Sequence, residues 1–167
     1  MPFTPFHFGP GAFVKSIAPK KFSFLIFVFS QVMIDFETLY FITKDQYPLH
    51  RLFHTYLGCH IPMIVTIIIG APIRSAVIRT WNFMTNMNLP NKLSFKCILI
   101  SAAIGAYSHV FLDSIMHRDI RPFYPFSNDN PMLGVMNIGL LHWLCILSGL
   151  VGAGLLMLRK YPASFKS

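Results

Sequence analysis

Four long apolar runs leave this chain few ways to fold. They extend from Phe22 to Phe41, Leu57 to Ile73, Cys97 to Ile115 and Leu133 to Leu158, and about 20 residues of helix cross the hydrocarbon of a bilayer. A backbone in lipid has to satisfy its own N–H and C=O groups, which for separate runs of this length means helix. The expected architecture is an all-α integral membrane bundle of about four transmembrane helices, forming one domain over residues 1–167. Pro62 and Pro72 fall in the second run, where neighbouring helices can satisfy the freed carbonyls. Gly149, Gly152 and Gly154 in the fourth allow close helix contact. The first 21 residues hold Pro2, Pro5, Pro10 and Pro19 and no apolar stretch of the signal-peptide kind, so the first run is expected to remain as a span.

Charged residues make up only 12% of the chain, against about 25% in a soluble domain, which is too few to build a water-facing surface. The formal charge of +8 does not indicate nucleic acid, because the 14 Lys and Arg lie in short clusters between apolar runs. Counted along the expected topology, ten fall on one side (Lys15, Lys20, Lys21, Arg74, Arg79, Lys92, Lys96, Arg159, Lys160, Lys166) and four on the other (Lys44, Arg51, Arg118, Arg121). The positive-inside bias then predicts a multi-pass protein with both termini cytoplasmic. Cys59, Cys97 and Cys145 are odd in number and each sits in an apolar run, which suits buried small hydrophobes rather than disulfides.

Three of the six carboxylates, Asp35, Glu37 and Asp113, fall inside predicted spans, where each costs about 3 kcal/mol on insertion scales. A structural ion pair is the plain explanation, and a functional site is the other. His109, Asp113 and His117 follow one another at intervals of four, so a helix through them shows all three on one face. His50 and His54 have the same spacing and converge on one cation if their segment is helical. Imidazole with carboxylate suits zinc, or manganese or iron at a more oxygen-rich site. Each piece recurs by chance, but the topology gathers all of them at one end of the bundle.

Asp35 and Glu37 are two residues apart and point about 200° away from each other on a regular helix, so both reach one site only if the helix is distorted. Asp35 is the expected ligand; Glu37 is a carboxylate behind the ligands, a general base, or a partner for Arg51. His117 is the other candidate for moving protons. His60 and His142 have no acidic neighbour in sequence and read as structural. Arg118 and Arg121 flank the stripe and suit either a phosphate or lipid headgroup or ordinary interfacial anchoring.

At these residues the chain resembles the YdjM-like family of inner-membrane proteins described as metal-dependent hydrolases. The resemblance runs through His7 in MPFTPFH, the acidic pair Asp35-Phe36-Glu37, the motif His50-Arg51-x-x-His54, and SHVFLDSIMHRDIRPFYPFS from Ser108 to Ser127. Relatives often carry Asp-x-Asp-His at the acidic pair and one more residue between the histidines of the second motif. The resemblance implies a bacterial inner-membrane protein whose metal ligands are His7, Asp35, His50, His54, His109 and Asp113. His7 precedes the first span, so on the topology above it lies away from the others. Either the N-terminal segment re-enters the bundle, or the orientation count misleads, or His7 is not a ligand.

The expected function is hydrolysis by water activated on a divalent metal, zinc first among the candidates, with Glu37 or His117 moving protons. A site at the bilayer edge favours an amphiphilic or lipid-linked phosphoester, with membrane lipid as surroundings and no nucleic acid as partner. The alternatives are a non-catalytic subunit with a structural metal, and an ion or proton conductor.

Overall fold

In the computed structural model, described here over residues 5–87 and 89–164, five helices make up the chain. They are α1 (Phe8–Ile17), α2 (Phe24–Thr43), α3 (His60–Thr85), α4 (Phe95–Met116) and α5 (Ile138–Ser164), with short 3-10 turns at Pro5–His7 and Leu52–His54. Helices α2 to α5 are each long and apolar enough to cross a membrane, which makes this an all-helical, multi-pass membrane protein.

Helix starts and stops follow local chemistry. Ser94 caps α4 by accepting the Cys97 backbone N–H at 3.2 Å. Asn137 does the same for α5, its Oδ1 accepting from Gly139 and Leu140. That cap moves the fourth span's start from the expected Leu133 to Ile138, and residues 133–137 form a turn in which Gly134 takes φ +70°. The second span is also longer than its apolar run. It begins at His60 and continues twelve residues past Ile73, because Arg74 reaches out along its stem to donate to the Pro90 and Asn91 carbonyls. Pro62 sits in the first turn of α3, where no backbone N–H is needed, and only Pro72 lies in its interior.

Helices α2 and α4 run parallel at the centre and bury the most side chains; α3 and α5 present broad apolar faces, including Ile64, Ile68, Leu147 and Leu150. Small residues set the central spacing. A Cβ on Gly105 would stand 2.7 Å from the Phe27 carbonyl oxygen, so glycine there lets the backbones touch. Ser30 donates to the Ala102 carbonyl at 2.9 Å, and Gln31 to Ser108 at 3.3 Å. This contact brings the second half of α2 level with the second half of α4.

The N-terminal segment does re-enter. Helix α1 lies along α5 with Gly9 against Cys145 and Gly152 against Ala12 and Phe13. Its ten residues cover about 15 Å, half the hydrocarbon thickness, and run from the site end toward the turn that starts α2. Residues 5–7 and Arg159 therefore lie at opposite ends of the bundle, so the expectation that both termini share one side does not hold for the described residues, because α1 adds a half-length passage before the first span. Lys15, Arg74, Arg79, Lys92, Lys96 and Arg159 are at one end, and Lys44, Arg51, Arg118 and Arg121 at the other. Of the residues in the orientation count, Lys166 lies outside the described residues.

Candidate metal centre

Helices α2 and α4 deliver Asp35, His109 and Asp113 to one point, and the 3-10 turn after α2 folds back to add His54. All four are buried, and one ligand atom from each lies within 4.8 Å of the others. Nε2 of His109 is 3.3 Å from Oδ1 of Asp35 and 3.2 Å from Oδ2 of Asp113. Nε2 of His54 is 3.8 Å and 3.6 Å from the same two oxygens. Four donors around zinc at 2.0–2.1 Å in a tetrahedron stand about 3.4 Å apart, so these four separations are compatible with ligands around a common cation. His7 adds its Nε2 at 3.4 Å from Oδ1 of Asp113.

The polar accounting supports the same fit. Among the described residues, both ring nitrogens of His7, both of His109 and Oδ1 of Asp113 are buried without a hydrogen-bond partner. Such groups cost about 1–3 kcal/mol each when left unpaired. A cation at the centre would satisfy the atoms that face it.

Carboxylates behind the ligands fix the imidazoles. Oε2 of Glu37 accepts the backbone N–H groups of Arg51 and Phe53 at 3.1 and 2.9 Å and lies 3.4 Å from Nδ1 of His54. An ionised carboxylate only accepts, so Glu37 suits a proton on Nδ1 of His54, and with a cation at the centre the Nε2 lone pair would face it. Asp119 repeats the arrangement for His50: its Oδ1 is 2.9 Å from Nδ1, while Oδ2 accepts the N–H groups of Leu49 and His50. Those bonds hold the Asp119 carboxyl below its ordinary range although burial alone would raise it. Burial takes His7 down to about 4, against the pull of Asp113; burial and the neighbouring His54 take His50 to about 4. Both are neutral at pH 7, the form that binds a metal.

No family model, curated protein or solved structure matches this chain. What the site can do therefore rests on its own geometry.

Several sequence expectations change in detail. The His109, Asp113, His117 stripe is broken, because α4 ends at Met116 and His117 is extended (φ −108°, ψ 127°). His117 still stays close, since its backbone N–H bonds the Asp113 carbonyl and its ring lies 4.3 Å from that of His50. His50 and His54 are not a helical pair either, and only the second is in the 3-10 turn. Helix α2 needs no distortion: Asp35 faces the centre while Glu37 meets His54 from the opposite side of the ring. The Arg51 guanidinium is not Glu37's partner; it lies over the Phe41 ring at 3.6 Å. His60 bonds the Tyr107 hydroxyl at 2.9 Å, and His142 stacks on Phe6 at 4.5 Å. Asp119 was missed altogether.

A pocket of about 440 Å³ opens beside the centre, lined by His50, Asp119, Arg51 and Arg121 among others. Arg118 is not among its lining residues.

Proposed function

We propose that this protein is a membrane-embedded, metal-dependent hydrolase acting on an amphiphilic phosphoester. The observation that carries the reading is the close convergence of Asp35, His54, His109 and Asp113 on one point, with unpartnered donor atoms buried around them. A divalent cation there, with zinc the best match to the donor set, would polarise the scissile bond and lower the pKa of a bound water.

The chain's own residues would do the rest. Asp35 and Asp113 supply negative charge, His54 and His109 supply neutral nitrogen, and Glu37 keeps the His54 ring in place. Glu37 is occupied by two backbone N–H groups and an imidazole, so it positions a ligand rather than acting as general base. Arg51 and Arg121 give the adjoining pocket a positive lining suited to a phosphate, and the exposed apolar faces around it suit an acyl or prenyl tail.

The resemblance to the YdjM-like inner-membrane hydrolases points the same way. The proposed orientation puts the more basic end, with Arg79, Lys96 and Arg159, on the cytoplasmic side of a bacterial inner membrane, so that the pocket opens on the opposite side.

The deciding experiment is metal analysis of the purified protein with an Asp113→Asn variant, followed by a panel of phosphoesters, esters and amides. Bound metal that is lost in the variant, with turnover of a phosphoester, is the expected result. Metal-replete protein inert toward the whole panel would favour a structural metal in a larger complex.

A further inference from the structure

The four-ligand centre leaves a second group of donors unused. Ligand atoms of His50, Asp113 and His117 also lie within 4.8 Å of one another, and Asp113 belongs to both groups. We propose that the protein holds a second divalent cation, bound by His50 and His117 and bridged to the first by the Asp113 carboxylate. The inference rests on the metal-dependent reading above and extends it from one cation to two.

Three observations support it. The Asp113 oxygens face different imidazoles: Oδ2 is turned to His54 and His109, while Oδ1 is 3.4 Å from His7 and otherwise unpartnered. A carboxylate within 4.8 Å of ligand atoms of His50 and His117 as well as of the first group can bridge two ions. His50 is prepared as a ligand just as His54 is, since Asp119 takes its Nδ1–H and leaves the Nε2 lone pair free. Two carboxylate-oriented histidines, His50 and His54, within reach of one shared carboxylate amount to two half-sites.

The charge count agrees. Asp35, Glu37, Asp113 and Asp119 place four of the chain's six carboxylates around this space. One dication offsets two of these charges. Among the described residues Arg51 and Arg121 form no ion pair with the four carboxylates and meet only neutral groups, the Phe41 ring, the Pro48 carbonyl and Asn128. Carboxylate charge is thus left over that a second dication at His50 and His117 can use. The second position also stands at the pocket, because His50 is one of the pocket's walls. In two-metal hydrolytic sites the ions sit about 3.5–4 Å apart and clamp attacking and leaving oxygens.

The test is stoichiometry. Detergent-purified protein is saturated with zinc, desalted, and its metal measured by mass spectrometry against protein concentration. Two ions per chain are expected in the wild type, one in His117→Ala, one in His50→Ala, and two again in His117→Asp, which restores a ligand. A wild-type count of one overturns the second position and leaves the first standing; a count of zero overturns both. Two ions retained in His117→Ala overturn its assignment as a ligand. Manganese-loaded wild type supplies a readout that needs no variant: an exchange-coupled electron paramagnetic resonance spectrum is expected, and the spectrum of an isolated ion would contradict the bridge.

Discussion

Glu37 holds His54 from behind: its Oε2 lies 3.4 Å from Nδ1 of the imidazole and also accepts the backbone N–H groups of Arg51 and Phe53. One carboxylate on α2 thus fixes both the turn that carries a ligand and that ligand's tautomer. A Glu37→Gln change keeps the shape but removes the charge that anchors the Nδ1 proton. Metal affinity should fall by roughly 10- to 100-fold, the usual effect of losing such a partner, with the helical circular dichroism unchanged. Competition with a chelator of known affinity measures it, and wild-type affinity would show that Glu37 serves only the turn.

Without metal, the fold should weaken in mild acid. His7 and His50 are buried and titrate at about 4 in the folded chain, against 6.5 when unfolded. The unfolded chain therefore binds more protons between these values, and stability is lost as pH falls from about 6.5 toward 4. Each histidine contributes on the order of 3 kcal/mol across that window. Thermal unfolding of the chelator-treated protein should show the decline, and a His7→Gln variant should show a shallower one. A midpoint flat between pH 7 and 4.5 would rule out the neutral, buried imidazoles.

The position of His7 depends on glycine far from any ligand. A Cβ on Gly152 would meet the Ala12 carbonyl carbon and the Phe13 nitrogen at 2.6 Å, backbone atoms that cannot swing aside. Gly152→Val should push α1 off α5 and draw His7 away from Asp113. The cost in stability should be about 1–3 kcal/mol, as for other overpacked contacts, accompanied by weaker metal binding although no ligand is altered. Unchanged metal affinity in this variant would remove His7 from the ligand set.

The spans were legible because lipid demands uninterrupted apolar helix, and the four runs allow no other reading. Their ends were not, since Arg74 can stay helical by extending its stem and Asn137 caps a helix inside an apolar-looking stretch. Asp35, His109 and Asp113 stood out as polar groups where polar groups are costly. His50, His117 and Asp119 sit in connections, where no periodicity tells which side chains meet; helical spacing suggested a stripe through His117 that the end of α4 breaks. The one available sign of Asp119 was its membership of a set of only six carboxylates, two residues from His117.

Orientation is the remaining expectation, and the structure makes it simple to test. Cys59, Cys97 and Cys145 are all buried, so labelling by a membrane-impermeant maleimide should report almost entirely on an introduced cysteine. Gln46 is exposed just past α2, at the end that carries the pocket, and Met87 is exposed just past α3, at the basic end. Basic residues are retained on the cytoplasmic side, and Arg74, Arg79, Lys92 and Lys96 cluster around the second connection. In intact bacterial cells Gln46→Cys should therefore react and Met87→Cys should not, until the membrane is permeabilised. The reverse pattern would place the pocket on the cytoplasmic face, and its phosphoester would then have to come from that side.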